Sequence, residues 1–115
     1  MKEKEALSAL AALAQESRLA VFRLLVKRGP EGYTPGEISE RLDIAAPTLS
    51  FHLKELTQAG LLTVRKESRY MHYSASFDRM NAVLAYLTEN CRSLGAAFVP
   101  ACAPNNTIDR KRKSA

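Results

Sequence analysis

The chain has no run of about 18 consecutive apolar residues, which excludes a transmembrane helix. It has no Cys-x-x-Cys pair, no glycine-rich phosphate loop and no Ser/His/Asp constellation, so an enzymatic role such as a small thiol reductase finds no machinery here. No internal repeat divides it. The start, Met1-Lys2-Glu3-Lys4-Glu5, is acidic as well as basic and leads into an interrupted Ala/Leu stretch, unlike the basic start and unbroken apolar segment of a secretory signal. The expected compartment is the cytoplasm, where the two cysteines stay reduced. Excess charge is also scarce in the body of the chain. The net charge is +5, but Arg110-Lys111-Arg112-Lys113 supplies most of it, and residues 1–108 hold 13 basic and 11 acidic side chains. Basicity alone is therefore a weak pointer to nucleic acid.

What is present is one domain's worth of ordinary globular sequence: 115 residues, 46% hydrophobic and 25% charged. Leu7, Leu10 and Leu13 recur at helical spacing among alanines from Glu5 to Gln15. A second helix is expected from Ser17 to Arg28, with Leu19, Phe22, Leu25 and Val26 on one side and Gly29-Pro30 ending it. Thr34-Pro35-Gly36-Glu37 has the form of a capping box with proline in the first turn, and predicts a short helix over 35–42 that buries Ile38 and Leu42. After the break Asp43-Ile44-Ala45, a further helix runs from Ala46 or Pro47 to Ala59, with Leu49, Leu53 and Leu56 inward and Gly60 as its stop. Two short helices, a tight break and an apolar stripe on the second make a helix-turn-helix. Residues 62–66 and 70–75 alternate as strands joined through Glu67-Ser68-Arg69. Asp78 is the expected cap of a last helix reaching about Arg92, with Met80, Val83, Leu84 and Leu87 apolar. The signal fades after Gly95, so residues 1–94 are expected to form the domain and 95–115 a loop and basic, disordered tail.

The order helix, helix, helix-turn-helix, β-hairpin, helix is that of a winged helix, mainly α with a β-hairpin wing. The segments Ser17-Arg18-Leu19-Ala20-Val21-Phe22-Arg23-Leu24-Leu25, Ala46-Pro47-Thr48-Leu49-Ser50-Phe51-His52-Leu53-Lys54-Glu55-Leu56 and Ala59-Gly60-Leu61-Leu62 closely resemble the ArsR-type (ArsR/SmtB) bacterial metal- and metalloid-sensing repressors, over roughly residues 5–92. The resemblance implies a two-fold homodimer, joined through the first and last helices, that binds double-stranded operator DNA and leaves it when an inducer binds. No membrane partner and no required cofactor are implied.

A recognition helix presents its N-terminal side chains to base edges in a major groove about 12 Å wide. Thr48, Ser50, Phe51, His52 and Lys54 fall in that half of the helix and are the candidate contacts, with Lys54 suited to phosphate. Two positions depart from the family: Ala46 stands where glutamine is common and Phe51 where a basic residue is common, so the operator does not carry over. Phe51 either meets thymine methyls or packs on the wing. Arg65, Lys66 and Arg69 cluster at the hairpin turn, where a winged helix reaches the minor groove or backbone.

The inducer is less legible. The family's arsenic site on the helix before the recognition helix uses cysteines, and residues 37–43 have none; its zinc site along the last helix uses histidine, and none follows Asp78. His52 and His72 have no cysteine near them in sequence and make poor metal ligands. Cys91 and Cys102 remain. Eleven residues of continuous helix would separate them by about 16 Å, but Gly95 and Pro100 allow the chain to fold back. They look like the first and third cysteines of a C-terminal arsenic site found in some family members, with Arg92 in the place of the second. Trivalent arsenic would then need a third donor, which an organic group as in methylarsenite, a partner-chain thiol or a small thiol supplies. Soft thiolates suit such an ion, and Arg92 favours the Cys91 thiolate. A redox-responsive disulfide pair and two unconnected cysteines are the other readings of the same residues.

Overall fold

The computed structural model describes residues 1–89. Cys91, Cys102, the basic block 110–113 and the expected division between 94 and 95 lie outside the described residues. Five helices and one hairpin follow in the order α1 (Glu3–Leu13), α2 (Glu16–Arg28), α3 (Pro35–Leu42), α4 (Ala46–Gln58), β1 (Leu62–Glu67), β2 (Tyr70–Ala75) and α5 (Phe77–Leu87). This is a winged helix-turn-helix.

The caps explain where the helices differ from expectation. α1 stops at Leu13 rather than Gln15, because the Gln15 side chain leaves the helix to accept from the Arg18 N–H at 2.9 Å and so starts α2. Thr34 and Glu37 close the expected capping box on α3, whose bounds are those read from sequence. Those backbone and hydroxyl donors hold the Glu37 carboxyl below the usual carboxylate range. α5 is capped by Ser76, whose hydroxyl accepts from the Arg79 N–H at 3.2 Å. Asp78 therefore sits inside the first turn instead of capping it, where the helix dipole still favours an anion. The helix ends at Leu87, short of Arg92, with the Thr88 hydroxyl bonding back to the Leu84 carbonyl.

β1 and β2 pair antiparallel from Leu62↔Ala75 to Glu67↔Tyr70. Glu67 belongs to the strand, which leaves only Ser68 and Arg69 as the turn. A further pairing, invisible in the strand pattern, joins Tyr33 to Tyr73 through reciprocal N–H···O bonds of 3.0 and 2.9 Å and ties the wing to the loop before α3. Gly32 makes this approach possible: its φ is +69° and a Cβ there would run into the Tyr73 carbonyl. Two guanidiniums lie over the buried Tyr33 ring, Arg28 at 4.7 Å and Arg41 at 4.6 Å from its centroid.

Every element contributes to one core, whose most buried large side chains are Val21, Leu25, Ile38, Leu49, Leu56 and Leu61. α1 packs inward through Ala6, Ala9 and Ala12, small residues that let it approach closely. Leu7 and Leu10 point the other way, 58% and 37% exposed, while Leu13 is partly buried against the core. Leu87 at the end of α5 is 56% exposed, and α5 packs on α1. Leu19, expected on the inner side of α2, is exposed instead. No helix among the described residues is long and apolar enough to cross a membrane.

Candidate nucleic-acid interface

α3 and α4 are joined by Asp43-Ile44-Ala45, with Asp43 in the left-handed region at φ 55°. The Ser39 hydroxyl donates to the Ile44 carbonyl at 2.5 Å and fixes the angle between the helices. α4 then buries Leu49, His52, Leu53 and Leu56 on one stripe. Thr48, Ser50, Phe51 and Lys54 fall on the opposite, exposed face, together with Ala46 and Pro47. At its far end Gly60, at φ +80°, turns the chain so that the Leu61 N–H reaches the Leu56 carbonyl at 3.0 Å and β1 can begin.

Four of the five candidate residues on α4 are thus brought to one outward surface. His52 is not among them. Its ring is only 7% exposed and lies 3.4 Å from an Arg18 guanidinium nitrogen, so the expected contact to base or phosphate is corrected: the side chain sits inside the protomer. The reason is helical phase: His52 is three residues after Leu49 and four before Leu56, on the apolar stripe. Burial, reinforced by the nearby Arg18 charge, pushes its pKa below the ordinary histidine value, and Glu55 only partly offsets this. Phe51 is 55% exposed, and its ring meets that of His52 edge-on at 5.6 Å.

The wing lies beside this surface. A groove of about 360 Å³ is lined by Ser50, Lys54 and Gln58 of α4, Tyr73 of β2 and Pro35 of α3. Lys66 and Arg69 are exposed near the turn, and neither pairs with a carboxylate of the described residues. Arg65 behaves differently. Its guanidinium donates to the Pro30 and Glu31 carbonyls and to the Glu67 carboxylate, each at 3.4 Å, so it is turned back on the loop after α2. Tyr70, 62% exposed and directly after Arg69, went unnoticed in the sequence, although strand alternation places it on the outer face with Glu67 and Arg65.

Among the described residues no group of three or more His, Cys, Asp or Glu side chains is placed to hold a metal ion.

A helix-turn-helix domain family matches residues 13–65. The HTH-type transcriptional regulator YceK of Bacillus subtilis is 41% identical over 64% of this chain and 72% of its own length. A putative arsenical resistance operon repressor of Halobacterium salinarum is 36% identical over 72% of this chain, which spans 63% of that protein. Among solved structures, an ArsR-like transcriptional regulator from Rhodococcus superposes with a TM-score of 0.67 at 26% identity, over 78% of this chain and 81% of the other. The chain belongs to the ArsR/SmtB family. It is accordingly a winged helix-turn-helix transcriptional regulator, and the thiol-reductase reading falls away. ArsR-family membership does not carry one signal with it. The transcriptional activator HlyU of Vibrio cholerae is 33% identical over 68% of this chain and 69% of its own length. A homodimeric winged helix-turn-helix domain from Mycobacterium bovis, at 20% identity and a TM-score of 0.61, shares the fold.

Proposed function

We propose that the protein is a homodimeric repressor that reads a two-fold operator with α4 and the wing and is released by trivalent arsenic. The observation that carries the DNA reading is the exposed face of α4, where Thr48, Ser50, Phe51 and Lys54 stand clear of the core beside a wing with exposed Lys66 and Arg69. In this reading Thr48 and Ser50 hydrogen-bond base edges or phosphates, Phe51 covers thymine methyls, and Lys54, Lys66 and Arg69 neutralise phosphates. Arg65 reaches DNA only by giving up its bonds to the α2–α3 loop.

A two-fold dimer sets two recognition helices about 34–36 Å apart, one turn of DNA. The outward leucines of α1 and α5 offer the self-complementary surface such a dimer needs. The arsenic reading rests on the two cysteines and on the resemblance to arsenical operon repressors. Cys91 and Cys102 are its thiolate donors, with the third place taken by an organic group on arsenic or by another thiol. Because these cysteines follow α5 in the chain, an ion that binds better to the DNA-free dimer changes the spacing of the recognition helices.

The test uses the reduced full chain and a duplex that it selects from a random library. Arsenite or methylarsenite is expected to release the duplex, and zinc to leave it bound. Undiminished release from the Cys91→Ser/Cys102→Ser protein sinks the arsenic reading. Release by peroxide but not by arsenicals assigns the cysteines to thiol–disulfide sensing instead.

A further inference from the structure

Arg18 joins three helices through one side chain. From the first turns of α2 its Nε–H donates to the Ala12 carbonyl at 2.6 Å, and its Nη1 meets His52 Nδ1 on α4 at 3.4 Å. Ala12 lies in the last turn of α1, where carbonyls have no helical partner and the dipole favours a cation. α1 has no basic residue in that turn, so α2 supplies the charge. At the other end of the link, guanidinium only donates, so Nδ1 must accept and the ring must be neutral with its proton on Nε2. His52 is buried, directly follows Phe51 and is two residues from Lys54 on the DNA-facing side.

We infer that Arg18 is a positioning residue for DNA recognition: it fixes the seat of α4 on the end of α1, the helix whose Leu7 and Leu10 face outward, and it does so only while His52 is neutral. The inference rests on α4 being the helix that reads DNA. Protonated His52 can no longer accept from Arg18 and sets a second positive charge against it. Of the charged groups facing the ring, Arg18 on α2 opposes protonation and Glu55 on α4 itself favours it. Loosening this link lets α4 shift relative to the α1 surface. The proposed dimer contact and the angle of the recognition helix are then one mechanical unit.

The experiment measures binding of the selected duplex by fluorescence anisotropy, with sedimentation equilibrium and far-ultraviolet circular dichroism on the same samples. Arg18→Gln is expected to weaken binding about tenfold, the scale of one lost hydrogen bond to a charged group, with dimer fraction and helix content unchanged. His52→Gln keeps a neutral acceptor for Arg18. It is expected to bind like the parent at pH 7.5 and to hold that affinity down to pH 5.5, whereas the parent weakens. Identical pH profiles for the parent and His52→Gln overturn the proposal, as does parental affinity in Arg18→Gln. If Arg18→Gln does not fold, the pair of pH profiles decides alone. Lys54→Ala separates the two levels: if it binds as the parent does, the assignment of α4 as the DNA-reading helix fails, whatever the pH profiles show.

Discussion

Replacing Leu7 and Leu87 together by alanine tests whether the α1/α5 surface is the dimer interface. In the protomer the two side chains are 58% and 56% exposed, so the substitutions remove little from the internal core. Fully burying a leucine contributes about 1.5–3 kcal/mol, and the exposed half of each therefore has about 1 kcal/mol still to gain. Two-fold symmetry doubles each contribution, so the double substitution costs the dimer about 4 kcal/mol, roughly a thousandfold in its dissociation constant. Sedimentation equilibrium reads that constant directly. Unfolding in urea gives an independent readout, because a dimer's midpoint rises with protein concentration and a monomer's does not. The parent is expected to show the rise and the variant to lose it while keeping its helix content. A variant whose dimer dissociates within threefold of the parent would place the interface elsewhere, and the outward leucines would then need another explanation.

Lys54→Ala is expected to lower affinity about equally for specific and unrelated duplexes and to reduce the slope of log K against log salt by about one, since a phosphate contact carries no sequence information. Salt titrations on two duplexes check this. Gly32→Ala forces a Cβ against the Tyr73 carbonyl at φ +69° and should destabilise the domain by about 2 kcal/mol, the scale of one strained backbone position, with the loss read as a lower urea midpoint. Folding stability is expected to fall as pH drops below 6.5: burial lowers the His52 pKa in the folded state, so the unfolded chain takes up a proton there first, and the contribution present above 6.5 is lost progressively until the folded state takes up its own proton at lower pH. His52→Gln should remove this part of the acid sensitivity, which urea unfolding at pH 7.5 and 5.5 measures.

Much of the outward face of α4, the candidate site, was legible because each α4 side chain's exposure follows from helical phase. Leu49, Leu53 and Leu56 mark the inner stripe, and Thr48, Ser50, Phe51 and Lys54 are what remains outside it. The same phase places His52 inside, but a polar side chain at the edge of an apolar stripe reads as a contact until its partner is seen. That partner, Arg18, is 34 residues away, and nothing in local spacing joins the two. Arg65 shows the converse. A basic residue near a hairpin turn reads as a DNA contact, yet the fold offers it the Pro30 and Glu31 carbonyls first. Tyr33 escaped notice because a single bridge leaves no alternating pattern.

Periodicity, capping residues and turn chemistry act over a few positions, so the order of helices and strands, the α3 capping box and the polar face of the recognition helix were already determined by the linear chain. Which side chains meet across that chain was decided only by packing: Ala6, Ala9 and Ala12 of α1 turn inward and Leu7 and Leu10 outward, Gly32 lets the wing reach Tyr33, and Arg18 meets His52. Those pairings depend on how close separate elements come and at what angle. Local backbone preference does not encode such distances; the shared core sets them.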